Sequence, residues 1–314
     1  MKAIVTGAAG FVGSTLSARL LADGHDVIGI DAFTPYYDPA LKRANVARLE
    51  GPRFTLVEAD LAEVDLDAIL LGADVVFHEA GQPGVRTSWG DDFTTYLQAN
   101  VHVTQRLLEA ARRAESLKRF VYASSSSVYG DAQQFPTREE DRPAPVSPYG
   151  VTKLAAEHLC SLYAANFGVP TVSLRYFTVY GPRQRPDMAF TRFLRAAAQG
   201  RAIDLYGTGE QVRDFTFVDD VVAANVRAAT EDVSPGSVLN IAGGTNTSMI
   251  EVIDIIDSLS GTPLEVRRHP RSDGDVFRTG GDASLARQAL GWKPAVGLEE
   301  GLARQWEWVV DTND

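Results

Sequence analysis

The opening stretch of this chain restricts its fold more than any other. Lys2-Ala3-Ile4-Val5-Thr6 is apolar and β-branched, the pattern of a parallel strand buried on both faces. Gly7-Ala8-Ala9-Gly10-Phe11-Val12-Gly13 follows at once, then an apolar helical pattern from Phe11 to Leu21, then a second strand, Asp26 to Ile30, ending on Asp31. Strand, glycine turn, helix, strand and acid in that order predict a βαβ unit opening an α/β protein with a doubly wound parallel sheet. The spacing is Gly-x-x-Gly-x-x-Gly rather than Gly-x-Gly-x-x-Gly, but the physics is the same. Small residues let backbone N–H groups approach a pyrophosphate at a helix N-terminus. Gly7, Gly10, Phe11, Val12 and Gly13 are therefore candidate dinucleotide contacts. Asp31, 21 residues past Gly10, stands where a strand-end carboxylate binds a ribose 2′-OH and repels a 2′-phosphate, which favours NAD over NADP.

Strand and helix patterns go on alternating. Phe54 to Ala59 reads as a third strand, and Asp60 and Leu61 after it border an adenine site, unless Asp60 only caps the next helix. Val75-Val76-Phe77-His78 is a fourth strand, followed by Glu79-Ala80-Gly81, where small residues let the cofactor's mid-section pass. His78 has no His, Asp or Glu partner at metal-ligand spacing and reads as a satisfied strand-end histidine, so no metal is expected. Asp91 to Ala114 reads as one long helix, in which Asn100 either anchors a loop or faces solvent. Arg119 to Ala123 is a fifth strand, with the serine run Ser124-Ser125-Ser126-Ser127 at its carboxyl end, the edge where ligands collect in open parallel sheets.

Ser147-Pro148-Tyr149-Gly150-Val151-Thr152-Lys153 carries the chemistry. Pro148 suits the first turn of a helix, and Tyr149 and Lys153 then share one face, one turn apart. A free phenol titrates at about 10. A cation at about 4 Å, with an effective dielectric of about 20, is worth about 4 kcal/mol or roughly 3 pKa units, enough to make Tyr149 a base near neutrality. Alone, the pair reads first as ordinary surface residues, and it is the N-terminal unit that turns the reading to catalysis.

The chain has 314 residues, 45% hydrophobic and 23% charged, enough for one large domain and a smaller lobe. A net charge of −11 argues against nucleic acid or an anionic membrane as partner. No apolar run reaches bilayer length, and Met1 runs straight into a strand without a leader pattern, so a cytoplasmic location is expected. Cys160, the single cysteine, excludes an intrachain disulfide and reads as a small buried hydrophobe. Residues 1–177 are expected to form the dinucleotide-binding domain, which takes back about 214–242, and 178–314 mainly a nucleotide-sugar lobe.

Thr6-Gly7-x-x-Gly10-x-x-Gly13, the serines before Val128-Tyr129-Gly130, and Tyr149-x-x-x-Lys153 together resemble the extended short-chain dehydrogenase/reductases. Pro83 to Trp89, Arg175 to Phe190 and Arg213 to Asp220 bring the resemblance closest to the nucleotide-sugar 4-epimerases acting on UDP-glucuronate. It implies that Tyr149 takes the proton of a sugar 4-hydroxyl, that Lys153 lowers its pKa and binds the nicotinamide ribose, and that Ser125 bonds the same oxygen. A hydride passes from C4 to NAD and returns to the opposite face of a 4-keto sugar. Ala80, Asn100 and Tyr176 join the implied cofactor contacts. Arg86, Arg185, Arg192, Arg213 and Arg271 join the implied UDP-sugar contacts. Arg185 reads equally as a hinge between lobes and Arg192 as a solvated helix face. A homodimer is implied as well.

Related 4,6-dehydratases carry Asp-Glu before the Val-Tyr-Gly, and decarboxylases carry Glu, where this chain has Ser126-Ser127. Two serines cannot supply the acid and base a dehydratase needs. A 4-keto uronate loses CO2 once its carboxylate bond aligns with the carbonyl π system. Ser126, Ser127 and Thr178 are candidates to hold it out of alignment, although the serines can also simply cap the strand end. UDP-glucose 4-epimerase, a decarboxylase and a non-enzymatic NAD-sensing protein are the other readings.

Overall fold

The computed structural model describes residues 1–132, 134–270 and 276–312. In chain order, its first half runs β1 (Lys2–Thr6), α1 (Phe11–Ala22), β2 (Asp26–Asp31), α2 (Pro39–Ala47), β3 (Phe54–Glu58), α3 (Leu66–Leu70), β4 (Val75–His78), α4 (Phe93–Tyr96), α5 (Val103–Arg113), β5 (Arg119–Ser125) and α6 (Pro148–Phe167). The second half runs β6 (Thr171–Tyr176), β7 (Thr178–Tyr180), α7 (Ala189–Ala198), β8 (Ile203–Tyr206), β9 (Val212–Arg213), β10 (Phe215–Phe217), α8 (Val218–Thr230), β11 (Ser237–Ile241), β12 (Thr247–Ser248), α9 (Met249–Ser260), β13 (Val266–His269), α10 (Ser284–Leu290) and α11 (Leu298–Thr312).

Seven strands form one parallel sheet in the order β11-β6-β5-β4-β1-β2-β3. Helices cover both faces, so the strands are mostly apolar and two cores result. Leu16, Leu20, Phe77, Leu174 and Trp292 pack on one face, and Ile4, Val76, Leu107, Phe120 and Cys160 on the other. The strand order reverses between β1 and β4, which opens a crevice at the carboxyl ends of the strands. A third core, with Tyr180, Phe190, Phe217 and Leu302, belongs to the second lobe, whose sheets are two-stranded: β7 with β10, β9 with β12, and β8 with β13.

Local chemistry sets the elements that carry the site. Ser147 caps α6, its Oγ accepting from the Gly150 N–H at 3.1 Å, and Pro148 occupies the first turn. Gly168, with φ +69°, ends the helix. The helix expected over Asp91–Ala114 is interrupted. A π-helical stretch, Leu97–His102, separates α4 from α5. The wider turn carries Asn100, whose amide bonds with Gln82 and Thr152 anchor another loop. Periodicity over so few residues does not distinguish a π turn from an α turn. Among the described residues no helix is long and apolar enough to cross a membrane.

Candidate active site

A cavity of about 880 Å³ runs along the carboxyl edge of the sheet into the cleft beneath the second lobe. At one end stands the glycine turn. Gly7 has φ +68°, and a Cβ there would press on the Ala80 backbone at 2.9 Å. A Cβ on Gly13 would run into the Gly7 carbonyl oxygen. Gly10 is the N-cap of α1 and offers no side chain, so the first-turn N–H groups keep their bonding capacity for a ligand. Gly7, Gly10, Phe11, Val12, Gly13, Asp31, Asp60, Leu61, Ala80 and Tyr176 all line the cavity. The glycine cradle, the uncapped helix end and the strand-end acid fit a dinucleotide.

Asp31 is held by the N–H groups of Ala9 (3.1 Å) and Phe33 (2.8 Å). Lys42 lies 3.8 Å from it and donates to the carbonyl and hydroxyl oxygens of Thr34. Asp60 does both things open to it: it borders the cavity and accepts the Ala62 N–H at 2.8 Å. Asn100 does not reach the cavity wall. It is buried, accepts the Gln82 N–H at 2.7 Å and donates to the Gln82 carbonyl and Thr152 Oγ1, so it positions the loop after β4. Both His78 nitrogens are engaged by hydroxyls, Nδ1 with Thr6 at 2.8 Å and Nε2 with Thr104 at 2.9 Å.

Ser125, Ser126, Ser127, Tyr149, Lys153, Thr178 and Arg185 converge on the other part of the cavity. Tyr149 and Ser125 line the same part of the cavity, and Tyr96 meets the Tyr149 ring edge-on at 6.3 Å. Burial pushes the Tyr149 phenol above its ordinary value, against the pull of the Ser125 hydrogen bond and the Arg185 charge. Lys153, the cation expected to supply that pull, makes its hydrogen bond toward the sheet. The Lys153 ammonium donates to the Ala123 carbonyl at 2.8 Å, and its electrostatic partner is Glu79. Burial lowers Lys153 to about 8 and raises Glu79 to about 7. The cation acting on the phenol is Arg185, itself bonded to Asp187 at 2.8 Å.

Arg86, Arg192 and Arg213 are not among the residues that line this cavity. Arg86 stacks on Tyr206 at 4.7 Å, and Arg192 faces Asp204 at 3.9 Å. Arg213 donates to the carbonyls of Val212, Val276 and Phe277, pinning a loop. Arg271 lies outside the described residues. Glu79 and Lys42 are wall residues that pattern reading missed. A lone acid after a strand and a lysine inside a short helix carry no spacing signal.

A family model for the NAD-dependent epimerase/dehydratase family matches residues 3–242. A Bacillus subtilis protein described as an uncharacterized UDP-glucose epimerase is 44% identical over 97% of this chain and 96% of its own. A probable UDP-glucuronate 4-epimerase of Rhizobium meliloti is 38% identical over 98% and 96%. The crystal structure of a UDP-glucuronic acid 4-epimerase from Bacillus cereus with UDP-glucuronic acid and NAD superposes with a TM-score of 0.96 at 42% identity, covering 99% of this chain and all of that one.

Proposed function

The chain belongs to the NAD-dependent epimerase/dehydratase family, and on that footing we propose that it interconverts UDP-glucuronate and UDP-galacturonate by inversion at C4. NAD, when bound, supplies the acceptor for the C4 hydride and gives it back. Tyr149 takes the 4-hydroxyl proton, Ser125 bonds the same oxygen, and Arg185 favours the phenolate. Lys153, on the cavity wall, would hold the nicotinamide ribose. Because the hydride returns within one cycle, the cofactor stays bound and no external reductant is consumed.

One observation carries the choice of sugar. The cavity wall at the end of β5 presents three hydroxyls, Ser125, Ser126 and Ser127, and Thr178 lines the same cavity, with no carboxylate in the serine run. Hydroxyl donors bind a sugar carboxylate and turn it away from the 4-keto π system without adding a negative charge. The description of the Bacillus subtilis relative favours a second reading, UDP-glucose 4-epimerisation, which differs only in the group at C5.

We read residues 1–177, with 214–242 returned to them, as the cofactor half and 178–314 as mainly the sugar-nucleotide lobe. A cytoplasmic homodimer completes the reading. Val151 and Leu162 lie three turns apart on one stripe of α6, both exposed, and Leu97 is exposed on the neighbouring π-helical stretch.

The purified protein, given UDP-glucuronate and no added cofactor, tests the assignment by chromatography of the products. UDP-galacturonate supports it. Conversion of UDP-glucose alone selects the second reading, a UDP-pentose with CO2 a decarboxylase, and no turnover a binding protein.

A further inference from the structure

Gly84 has φ +107°, a conformation that glycine adopts readily, and there the loop after β4 meets a side chain from across the cavity. The Tyr36 Oη and Thr87 Oγ1 atoms stand 2.5 and 2.6 Å from where a Gly84 Cβ would lie. Tyr36 belongs to the connection between β2 and α2, and both Tyr36 and Gly84 line the cavity. The two loops also meet at their bases, on the glycine turn. The Ala9 N–H donates to Asp31, and Gly7 packs on the Ala80 backbone. The glycine turn, residues 31–36, the Tyr36 side chain and residues 80–84 therefore close a ring in space.

We propose that Tyr36 is the clasp of the cofactor site, bridging to Gly84 so that NAD leaves only when this contact opens. A ligand that reaches from Asp31 to Tyr149 with its pyrophosphate on the glycine turn passes through the ring. The inference rests on NAD occupying this cavity and is independent of which sugar reacts.

Both sides of the ring are pinned, which leaves the Tyr36 side chain as the part that opens. Before Tyr36, Asp31 accepts the Phe33 N–H at 2.8 Å, and Lys42 donates to the Thr34 carbonyl and hydroxyl, each at 3.1 Å. After it, Asp38 caps α2 by accepting the Ala40 N–H at 2.9 Å. On the Gly84 side, the hydroxyl of the buried Tyr96 lies 2.9 and 2.8 Å from the carbonyls of Pro83 and Gly84, and 2.7 Å from Thr87 Oγ1. Asn100 holds Gln82 from both its amide N–H and its carbonyl. The second lobe adds a weight to the clasp. The Arg185 guanidinium stands 5.7 Å over the Tyr36 ring and is itself fixed by two bonds to Asp187, at 3.0 and 2.8 Å. Opening the ring therefore costs the Tyr36 side chain its contacts with Gly84 and with Arg185 together.

The test compares wild type with Tyr36→Ala, both saturated with NAD and without any sugar. Exchange of bound NAD for added deuterated NAD, followed by mass spectrometry, gives the release rate, and equilibrium dialysis gives Kd. In Y36A release should be about tenfold faster or more, with Kd changed by less than about threefold, because an open clasp speeds entry as well as exit. An unchanged release rate overturns the proposal. So does a Kd that rises in proportion to the release rate, since Tyr36 is then an ordinary contact and not a clasp. Y36F keeps the ring beneath Arg185 and shortens the bridge by its oxygen. It should move release in the same direction by a smaller factor at near-constant Kd, and it decides the matter if Y36A does not fold. Wild type that binds no NAD at all overturns the cofactor assignment and the clasp together, an outcome distinct from failure of the clasp alone.

Discussion

Arg175 on β6 and Glu157 on α6 are joined by two hydrogen bonds, Nε to Oε2 at 2.9 Å and Nη2 to Oε1 at 2.6 Å, with both side chains almost wholly out of water. Ser124 Oγ adds a third bond to Glu157 Oε2 at 2.7 Å, and Arg175 also donates to the Tyr129 phenol at 2.6 Å. The helix that carries Tyr149 and Lys153 is thereby fixed to the two strands that carry the serines and Tyr176. Removing one partner leaves the other charge buried and unpaired, at a cost of about 3–5 kcal/mol. Arg175→Met and Glu157→Gln should each lower stability in urea by that amount. Replacing both together by apolar residues should cost less than either alone, because no orphan charge remains. Additive losses would show that the pair is not a unit.

Tyr149→Phe removes the phenol and nothing from the glycine turn. Turnover should fall by a factor of about 10²–10⁴ or more while the protein still binds NAD, as measured by cofactor released on denaturation. Activity within a few-fold of wild type would remove Tyr149 from the reaction.

Thr178→Val keeps the shape of β7 and deletes one hydroxyl from the cavity wall. If that hydroxyl holds the sugar carboxylate, the variant should release more CO2 and UDP-pentose per turnover. An unchanged product ratio would assign the carboxylate to the serines alone.

His78 gives a pH signature in stability. Its value is lowered from an ordinary 6.5 to about 3 by burial and Lys153, so the folded state refuses a proton that the unfolded chain binds. The stabilisation is complete above 6.5 and is lost as pH falls toward 3. Its full span is about 5 kcal/mol. His78→Asn should be less stable than wild type at pH 7, and the gap should narrow by about 3 kcal/mol by pH 4 in urea titrations. A gap independent of pH would mean that the imidazole titrates alike in both states.

Much of this was legible before any coordinates. The cofactor end follows from contiguous residues, because Gly7 to Gly13 and Asp31 belong to one βαβ unit whose geometry is local. Tyr149 and Lys153 share a helix face for the same reason. What pattern reading missed depends on residues distant in sequence. Lys153 turns toward the Ala123 carbonyl, and a cation felt by Tyr149 comes from Arg185, beyond β7. The (i, i+4) spacing shows that two side chains are neighbours but not which third group takes the charge. Arg86 stacks on an aromatic face and Arg213 bonds loop carbonyls, contacts between distant segments that no local pattern shows. The π turn that carries Asn100 depends on what Asn100 bonds across the fold, not on the apolar period of its own segment.

The most direct measurement of the central claim, that a hydride leaves C4 and comes back within one closed cycle, uses UDP-glucuronate deuterated at C4 in ordinary water. The account predicts UDP-galacturonate with deuterium retained at C4 and six carbons intact by mass spectrometry and NMR. Deuterium lost to solvent, or a five-carbon product in its place, would contradict it.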